Sequence, residues 1–231
     1  MNREQLLKEM GLGPIWTLRQ PVGRKRGEPK PDQSSPPSIN DRTAAIAAMD
    51  WDQLPQAVAD CTACELCKTR KQAVLGVGDT DADWLFVGEG PGAEEDERGE
   101  PFVGQAGKLL DAMLAAIDLK RGEKVYIANA VKCRPPNNRT PETQETTACW
   151  PFLARQIELI RPKMIVTLGK PAAQTLLQQE VTISRMRGTV SDFAGIPLIV
   201  TYHPAYLLRN LPDKAKAWED LCFMREQMKA L

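Results

Sequence analysis

Short apolar runs separated by helical patterns organise most of this chain. Each of the four runs is short enough to be a strand buried on both faces, and they cover residues 84–87, 125–130, 164–168 and 198–201. Helical periodicity lies between and after them, over residues 105–117, 141–160, 170–179 and 213–230. Strands that alternate with helices predict an α/β fold, a three-layer α/β/α sandwich with a central, mostly parallel four-stranded sheet.

Residue types at the helix boundaries refine these elements. Thr140 before Pro141 predicts an N-cap followed by a first-turn proline, and Lys170-Pro171 predicts another helix start. Two short helices are predicted ahead of the first strand, one over residues 44–48 and one that begins at Trp51 or Leu54 and ends near residue 60.

The first part of the chain differs from the rest in composition. Residues 1–19 predict a short N-terminal helical segment, which is a candidate for docking an unidentified protein. Residues 20–42 are rich in proline, serine and charge, and they bury too little apolar surface to offset the entropy of ordering, so a flexible linker is predicted there. The folded domain is therefore expected over residues 43–231.

Composition narrows the function classes only slightly. The 30 basic and 30 acidic residues cancel, so net charge neither indicates nor excludes a nucleic-acid partner. No apolar run approaches the roughly 20 residues of a membrane span. The N-terminus lacks the apolar core of a signal peptide, so we expect a cytoplasmic protein with no membrane partner. In a reducing compartment, the six cysteines are expected to be metal ligands or buried thiols rather than disulfides.

The cysteine spacing indicates a metal or cluster site. Cys61 and Cys64 lie on one turn, Cys133 follows a predicted strand, and Cys149 lies inside the next helix. Four thiolates drawn from these positions suit either zinc or an iron–sulfur cluster. Cys67 forms a second C-x2-C with Cys64, so the spacing leaves open which pair binds. The sixth, at position 222, fits the apolar face of the last helix as a buried thiol.

Candidate chemistry lies where three of the predicted strands end. The first strand runs into GEGPGAEEDERGEPF, residues 88–102, whose glycines let backbone N–H groups approach a flat or anionic ligand. The second strand ends near Asn129, and His203, the only histidine, follows the fourth. Ligands of open α/β sheets bind at the carboxyl ends of strands, so we expect a site at this edge. A tight turn with a solvated acidic face, and a structural histidine, are the alternatives.

Several ordered motifs carry a family resemblance. They are GEGPG at 88–92, GxPFVGxAGxLL at 99–110, VYIANAVKCRPPNNR at 125–139 and HPAYLLRN at 203–210. Together they resemble the iron–sulfur uracil-DNA glycosylases, family 4 of the uracil-DNA glycosylase superfamily, over about residues 58–228. The resemblance implies a monomeric DNA-repair hydrolase that flips uracil out of single- or double-stranded DNA and hydrolyses its N-glycosidic bond, leaving an abasic site.

The resemblance also implies which residues bind the base. The Asn129 amide would donate to uracil O4 and accept from N3–H, which excludes cytosine. Phe102 would stack on the flipped ring, and the backbone of Gly88, Glu89 and Gly90 would close on its edge.

Catalytic and DNA-contacting roles follow from the same resemblance. His203 would donate a hydrogen bond to uracil O2 and stabilise the departing anion. Glu95, with Glu89 as its rival, would orient water or stabilise the cationic sugar. The wedge and clamp are implied to be Leu207, Leu208 and Arg209, and the further candidates for the DNA face are Arg134, Asn137, Asn138, Arg139 and Arg187.

For the cysteines, the resemblance implies a 4Fe-4S cluster held by Cys61, Cys64, Cys133 and Cys149. Cys67 departs from the family pattern as an extra thiol close enough to compete, and Ala93 stands where related sequences often carry an acid or a larger residue. The alternative function is a non-catalytic iron–sulfur DNA-binding or polymerase-accessory module with the same fold. A zinc-stapled nucleotide-binding protein is a third possibility.

Overall fold

A computed structural model describes Gln5 and residues 39–231. The chain divides into two compact units, Met1–Pro37 and Ser38–Leu231. In the first unit Gln5 is helical, and the rest of the predicted N-terminal segment lies outside the described residues, as does the predicted linker up to residue 38. The second unit contains the sheet and all of the candidate site residues.

One mixed sheet of six strands forms the centre of the second unit, in the order β1-β3-β2-β4-β6-β5. The inner strands β2, β3, β4 and β6 are parallel, as predicted, whereas β1 and β5 pair antiparallel at the two edges. The predicted four-stranded sheet therefore gains two edge strands, which are short and partly exposed and so lack a continuous apolar run. The strands are β1 (Val77–Gly78), β2 (Trp84–Gly88), β3 (Val125–Asn129), β4 (Met164–Leu168), β5 (Val190–Phe193) and β6 (Ile196–Thr201).

Helices connect these strands and cover the sheet. Those of the described residues are α1 (Ile39–Ala47), α2 (Leu54–Ala59), α3 (Ala93–Arg98), α4 (Gln105–Ala115), α5 (Thr143–Ile160), α6 (Lys170–Leu177), α7 (Ile183–Met186), α8 (Pro204–Arg209) and α9 (Asp213–Met228). Short 3-10 turns occur at Glu65–Lys68 and Pro136–Asn138. Helix α1 begins inside the stretch predicted as linker, and α3 lies in the glycine-rich stretch over residues 88–102, where no helix was predicted.

The two predicted proline-marked helix starts have different outcomes. Pro171 is the second residue of α6, as predicted. The prediction for Thr140 and Pro141 is wrong, because α5 begins at Thr143 with Glu142 as its N-cap. The carboxylate of Glu145 accepts the backbone N–H of Glu142 at 2.8 Å, and this capping box sets the start of the helix.

Residues that alternate along the inner strands build a separate core on each face of the sheet. Trp84 and Phe86 belong to a cluster with residues of α4 and α9, whereas Leu85 and Val87 belong to a cluster with residues of α5 and α6. The protein is therefore the three-layer α/β/α sandwich that the sequence predicts. No helix within the described part of the chain is long and apolar enough to cross a membrane.

A third core lies beside the sheet and contains the cysteines. It joins α1, α2 and the 3-10 turn at Glu65–Lys68 to α5, and it includes Cys133 and Cys149. Arg42 of α1 donates to the carbonyl of Ala148 at 2.8 Å, and its guanidinium lies 5.0 Å from the centre of the Phe152 ring. These contacts attach the first two helices to the N-terminal half of α5.

Strand register brings the candidate site residues to one edge of the sheet. Gly88, the last residue of β2, pairs with Asn129, the last residue of β3. At the end of β4, the N–H of Gly169 donates to the carbonyl of Thr201, the last residue of β6, at 2.8 Å. His203 follows two residues later, so all of these strand ends meet at the carboxyl edge.

Candidate active site and cysteine centre

A cavity of about 820 Å³ opens at the carboxyl ends of the parallel strands. Residues of the segments that follow β2, β3, β4 and β6 line this cavity. Of the residues predicted from the sequence, the cavity brings together Glu89, Gly90, Glu95, Phe102, Asn129, His203 and Arg209.

Asn129 and Phe102 meet at Gly88, where a side chain would not fit. A Cβ on Gly88 would lie 2.4 Å from Asn129 Oδ1 and 2.6 Å from Phe102 Cζ, so only glycine allows the amide and the ring to lie this close to the strand. Asn129 is 2 % exposed, and among the described residues no group donates to its Oδ1. A buried acceptor without a donor costs about 1–3 kcal/mol, which a ligand N–H would offset.

The backbone of Phe102 is held in an uncommon conformation. Its φ is 54°, in the left-handed region that a bulky residue rarely adopts. Arg121 donates to the carbonyls of Pro101 at 2.8 Å and of Phe102 at 2.9 Å, and it forms an ion pair with Asp111 at 2.9 Å. These bonds anchor the strained residue against α4 and keep its ring at the cavity wall.

Glu95 forms hydrogen bonds within the connection between β2 and α4, residues 89–104, of which it is part. One carboxylate oxygen, Oε2, accepts the N–H of Gly92 at 3.1 Å. The other, Oε1, accepts the N–H groups of Val103 at 2.9 Å and Gly104 at 3.1 Å. Glu95 therefore ties the start of α3 to the residues that follow Phe102, in addition to lining the cavity.

His203 is the N-cap of α8, and its contacts select one tautomer. Its Nδ1 accepts the N–H of Ala205 at 3.1 Å, so the proton of the neutral ring lies on Nε2. The ring centre lies 5.5 Å from that of Phe102. The pKa of His203 is lowered to about 4, mainly by burial and to a smaller extent by the charge of Arg209, while Glu95 partly opposes the shift. The ring is therefore neutral at pH 7.

Glu89 differs from Glu95 in its environment. Its carboxylate is half-buried at the cavity, and burial raises its pKa, an effect that a hydrogen bond with Thr140 partly opposes. A raised pKa makes this carboxylate a stronger base than a solvated glutamate.

The predicted wedge residues divide between core and surface. Leu207 is 1 % exposed and packs in the cluster that joins β2, α4 and α9, so it is not available at the surface, in contrast to the expectation. Leu208 is 41 % exposed, and Leu211 beyond the helix is 61 % exposed. Arg209 is exposed and lines the cavity.

The other residues predicted to contact DNA differ in whether they line the cavity and in which side chains they bind. Arg139 lines the cavity but forms two hydrogen bonds with Glu145, at 2.6 and 2.8 Å. Arg134 donates to Asn138, which is also in the cavity wall, at 2.8 Å. Arg187 forms ion pairs with Glu219 and Asp220, at 2.7 and 3.0 Å, and so attaches the α7–β5 connection to α9 rather than extending freely from the surface.

The cavity wall also contains residues that were not predicted, among them two lysines and a tyrosine. Lys170 follows the end of β4, so the rule that selects Asn129 at the end of β3 also selects it. Tyr206 stacks on Tyr202 with ring centres 5.5 Å apart. Lys216 lies in α9, and no sequence signal distinguishes it from the other surface lysines.

Five of the six cysteines line a second, small cavity at the third core, and the sixth, Cys222, lies in α9. All six are free thiols. The five are Cys61, Cys64, Cys67, Cys133 and Cys149. In the described part of the chain, no three His, Cys, Asp or Glu side chains are arranged to hold a single metal ion.

Hydrogen-bond donors surround these sulfur atoms. Arg70 donates to Cys133 at 2.9 Å, Arg42 to Cys61 at 3.4 Å, and the backbone N–H of Lys132 to Cys149 at 3.2 Å. Burial raises the pKa of Cys149 to about 12 and also raises that of Cys133, so both thiols keep their protons at neutral pH unless a metal binds the sulfur and the proton is released to solvent. Donors of this kind stabilise thiolates bound to a metal or cluster.

The two overlapping C-x2-C pairs share one cavity. Cys61, Cys64 and Cys67 all line it together with the two buried cysteines, Cys133 and Cys149, so both pairs are placed near the buried thiols.

Known proteins match this chain over the same region. The family model of the uracil DNA glycosylase superfamily matches residues 75–222. The chain belongs to that superfamily. A type-4 uracil-DNA glycosylase of Thermotoga maritima is 50% identical over 161 residues, which are 69% of this chain and 83% of the relative. The type-4 enzyme of Archaeoglobus fulgidus is 47% identical over 165 residues, which are 68% of this chain and 82% of the relative.

These matches confirm the resemblance to family 4 of the uracil-DNA glycosylase superfamily. A type-5 uracil-DNA glycosylase of Pyrobaculum aerophilum is less similar, at 32% identity over 149 residues, which are 58% of this chain and 66% of the relative. The residues that match the superfamily include every candidate from Gly88 to Arg209, whereas Cys61 and Cys64 precede them.

The environment of His203 predicts a low pKa for its imidazole ring, and this pKa can be measured. Because burial and Arg209 both disfavour the imidazolium, the ring is expected to titrate with a pKa of about 4. Since the chain has one histidine, NMR of the untagged protein labelled at the imidazole measures this value directly. Arg209→Ala removes a nearby positive charge and is expected to raise the pKa. An ordinary value near 6.5 in the native protein would contradict the buried, neutral ring.

Proposed function

We propose that this protein is a DNA-repair uracil-DNA glycosylase that binds uracil flipped out of DNA and hydrolyses its N-glycosidic bond. The observation that carries the proposal is the unpaired, buried Oδ1 of Asn129, which lies beside an aromatic ring and shares its cavity with a neutral histidine. The type-4 enzymes that the chain resembles are named for the same activity.

Asn129 selects uracil by its amide. The flipped base presents N3–H as a donor and O4 as an acceptor, which match Oδ1 and the amide N–H of Asn129. Cytosine presents an acceptor at N3 and an amino group at C4, so both contacts would be lost. Because Asn129 is 2 % exposed, water does not replace the two lost hydrogen bonds. The unpaired polar groups therefore disfavour the binding of cytosine by their full desolvation free energy.

Phe102 and the backbone after β2 complete the base pocket. The ring stacks on the face of uracil, and the backbone of Gly88, Glu89 and Gly90 closes on the edge of the base. The left-handed backbone of Phe102 supports this role, since strain of this kind is retained where the surrounding structure holds a residue in place for function.

His203 stabilises the leaving group. Bond cleavage places negative charge on the base, and the protonated Nε2 donates to uracil O2 as that charge develops. The donor is fixed in advance because Nδ1 already accepts the N–H of Ala205. One preorganised donor of this kind contributes about 3 kcal/mol to transition-state stabilisation.

The two carboxylates take different tasks. Glu95 already accepts three backbone N–H groups, so it positions the β2–α4 connection and keeps its negative charge near the cationic sugar. Glu89 has the raised pKa and faces the cavity, so it orients the attacking water and accepts its proton. Water then adds its oxygen to the sugar carbon as the base departs with the bonding electrons.

DNA approaches along the rim of the cavity. Arg209, Lys170 and Lys216 supply positive charge for phosphates of either single- or double-stranded DNA. Leu208 is exposed beside Arg209 and fills the gap that the flipped base leaves in a duplex. From sequence alone, we also propose a monomer in which residues 1–19 dock a protein partner.

The cysteine cavity fits a 4Fe-4S cluster held by Cys61, Cys64, Cys133 and Cys149. The support is the convergence of these thiols from distant parts of the chain and the N–H donors aimed at three of them. When bound, the cluster supplies a cross-link between chain segments rather than a step of the hydrolysis. Cys67 lines the same cavity as an additional thiol.

The proposed activity predicts uracil release from an end-labelled oligonucleotide that carries one deoxyuridine. His203→Ala is expected to slow release by about a hundredfold or more, because it removes the donor to O2. Alkaline cleavage at the abasic site measures the rate on single- and double-stranded substrates. Lys229→Ala, which alters only an exposed ion pair with Glu226, is the matched control and should keep the native rate.

A native protein that binds this DNA but releases no uracil from either substrate would contradict the proposal. That outcome would support the non-catalytic DNA-binding module instead.

The raised pKa of Glu89 predicts an acid limb in the pH profile. A base acts in its deprotonated form, so the rate should fall as pH falls through the raised pKa of Glu89. His203 adds no limb near pH 6.5, because its pKa is about 4. Single-turnover rates between about pH 4 and 8 test both statements.

Glu89→Gln should lose most of the rate and the acid limb together. Glu95→Gln is the comparison, and it should lower the rate but keep the limb. If Glu95→Gln removes the limb and Glu89→Gln keeps it, the water-orienting role belongs to Glu95.

The ligand set predicts which cysteine variants lose the cluster. Cys149→Ala should lose iron and visible absorbance and unfold at lower denaturant concentration, because a buried ligand and the cross-link are removed together. Cys67→Ala and Cys222→Ala should keep the native absorbance and iron content. A Cys149→Ala protein that keeps its iron would refute the set.

A further inference from the structure

Asp96 is a buried carboxylate next to Glu95 on α3. It is 2 % exposed, although it lies in a run of four consecutive acids that otherwise suggests a solvated face. Its Oδ1 accepts the backbone N–H of Lys71 at 2.8 Å and that of Gln72 at 3.4 Å. Burying a carboxylate is costly unless hydrogen bonds compensate, so these two donors account for its position.

Further contacts surround Asp96 at the same junction. The side-chain amide of Gln72 donates to the carbonyl of Glu97 at 2.5 Å, and Lys71 forms an exposed ion pair with the Glu97 carboxylate. Gly99 ends α3 with a φ of 76°, and a Cβ there would lie 2.8 Å from Gln72 Oε1. The C-terminal half of α3 therefore packs directly on residues 71 and 72.

The opposite end of this short segment belongs to the cysteine centre. Arg70 donates to Cys133 Sγ at 2.9 Å. The N–H of Val74 donates to the carbonyl of Lys132, the residue before Cys133, at 2.8 Å. Residues 70–74 therefore bridge the cysteine centre and α3.

From α3 the connection continues to the base pocket. Glu95 bonds Gly92, Val103 and Gly104, which lie on both sides of Phe102 in sequence. A displacement of α3 would therefore move Glu95 away from these N–H groups and loosen the segment that carries Phe102, which Arg121 also holds.

We propose that Asp96 is a positioning residue that fixes α3 to the cysteine-bearing segment, and thereby keeps Glu95 and Phe102 in place for the substrate base. Asp96 acts through these neighbours and does not itself contact the base. The effect that we expect on uracil release rests on the proposed glycosylase function, whereas the effect that we expect on amide hydrogen exchange does not.

Asp96→Ala in the cluster-containing protein removes the acceptor at this junction. The rate of uracil release from single-stranded DNA is expected to fall by about ten- to a hundredfold, because Phe102 and Glu95 are no longer held in their positions for the base. Amide hydrogen exchange should accelerate at residues 92–104 and stay native in β3 and β4. Visible absorbance and iron content should be unchanged.

Two variants separate positioning from general destabilisation. Asp96→Asn keeps an oxygen acceptor of the same size, so it should restore most of the rate and the exchange protection. Lys71→Ala removes the exposed ion pair but keeps the backbone donor, so it should behave as the native protein. If Asp96→Ala does not fold, Gln72→Ala replaces it in the test. This variant removes one side-chain hydrogen bond at the junction and should accelerate amide hydrogen exchange at residues 92–104 to a smaller extent.

Native rate and native exchange in Asp96→Ala would overturn the proposal. So would acceleration spread evenly over the domain, or a failure of Asp96→Asn to restore protection, because either would show a purely structural role. If the native protein releases no uracil, the glycosylase function fails, while the exchange measurements still decide whether Asp96 holds the connection.

Discussion

The pairing of Gly88 with Asn129 at the ends of two parallel strands is the constraint on which the site depends. It brings a backbone without a side chain against a buried amide, and the space that remains is filled by the edge of the Phe102 ring. A shift in register by one residue would turn the Asn129 side chain to the opposite face of the sheet, where an apolar core packs. The apolar residues of β2 and β3 prevent that shift, so the core of the sandwich sets the position of the amide. The geometry that we propose for base recognition is in this sense a consequence of ordinary sheet packing.

Burial at this edge of the sheet favours the neutral forms of both His203 and Glu89. His203 becomes a neutral donor with a pKa of about 4, and the pKa of Glu89 is raised, while Asn129 keeps an acceptor without a donor. Each of these states is less favourable than its solvated counterpart. Together they suit a reaction in which an uncharged base enters and leaves as an anion, because a low-dielectric cavity strengthens the contacts that form as charge develops. The stability lost in the empty cavity is offset by the two large apolar cores on either side of the sheet.

Continuous apolar patterns were sufficient to predict the inner sheet, and polar residues at strand ends were sufficient to predict that a cavity lies at the carboxyl edge. The edge strand Val190–Phe193 was not predicted because alternate residues are exposed, and nothing in the pattern shows that it pairs with β6. Leu207 and Leu208 look alike in sequence, and only the packing of α8 against the sheet layer decides that one is buried and the other exposed. The acids after Gly92 were equally ambiguous. Their separate environments arise from N–H donors supplied by residues 71, 72, 103 and 104, which local sequence does not indicate.

Those distant donors explain why a cysteine centre away from the base pocket matters for its shape. The segment from Cys61 to Val74 contains one short 3-10 turn and no strand, so regular backbone bonding contributes little to its order. Its position depends on side-chain contacts with Arg42 of α1 and with Cys133 after β3, and on the sulfur atoms that line the cysteine cavity. A metal or cluster held by those sulfur atoms would order this segment in the folded chain, because such a site forms only on folding and its binding free energy stabilises the folded state. Because α3 packs on the same segment, the order that such a link imposes extends to the wall of the base pocket without any role in the chemistry.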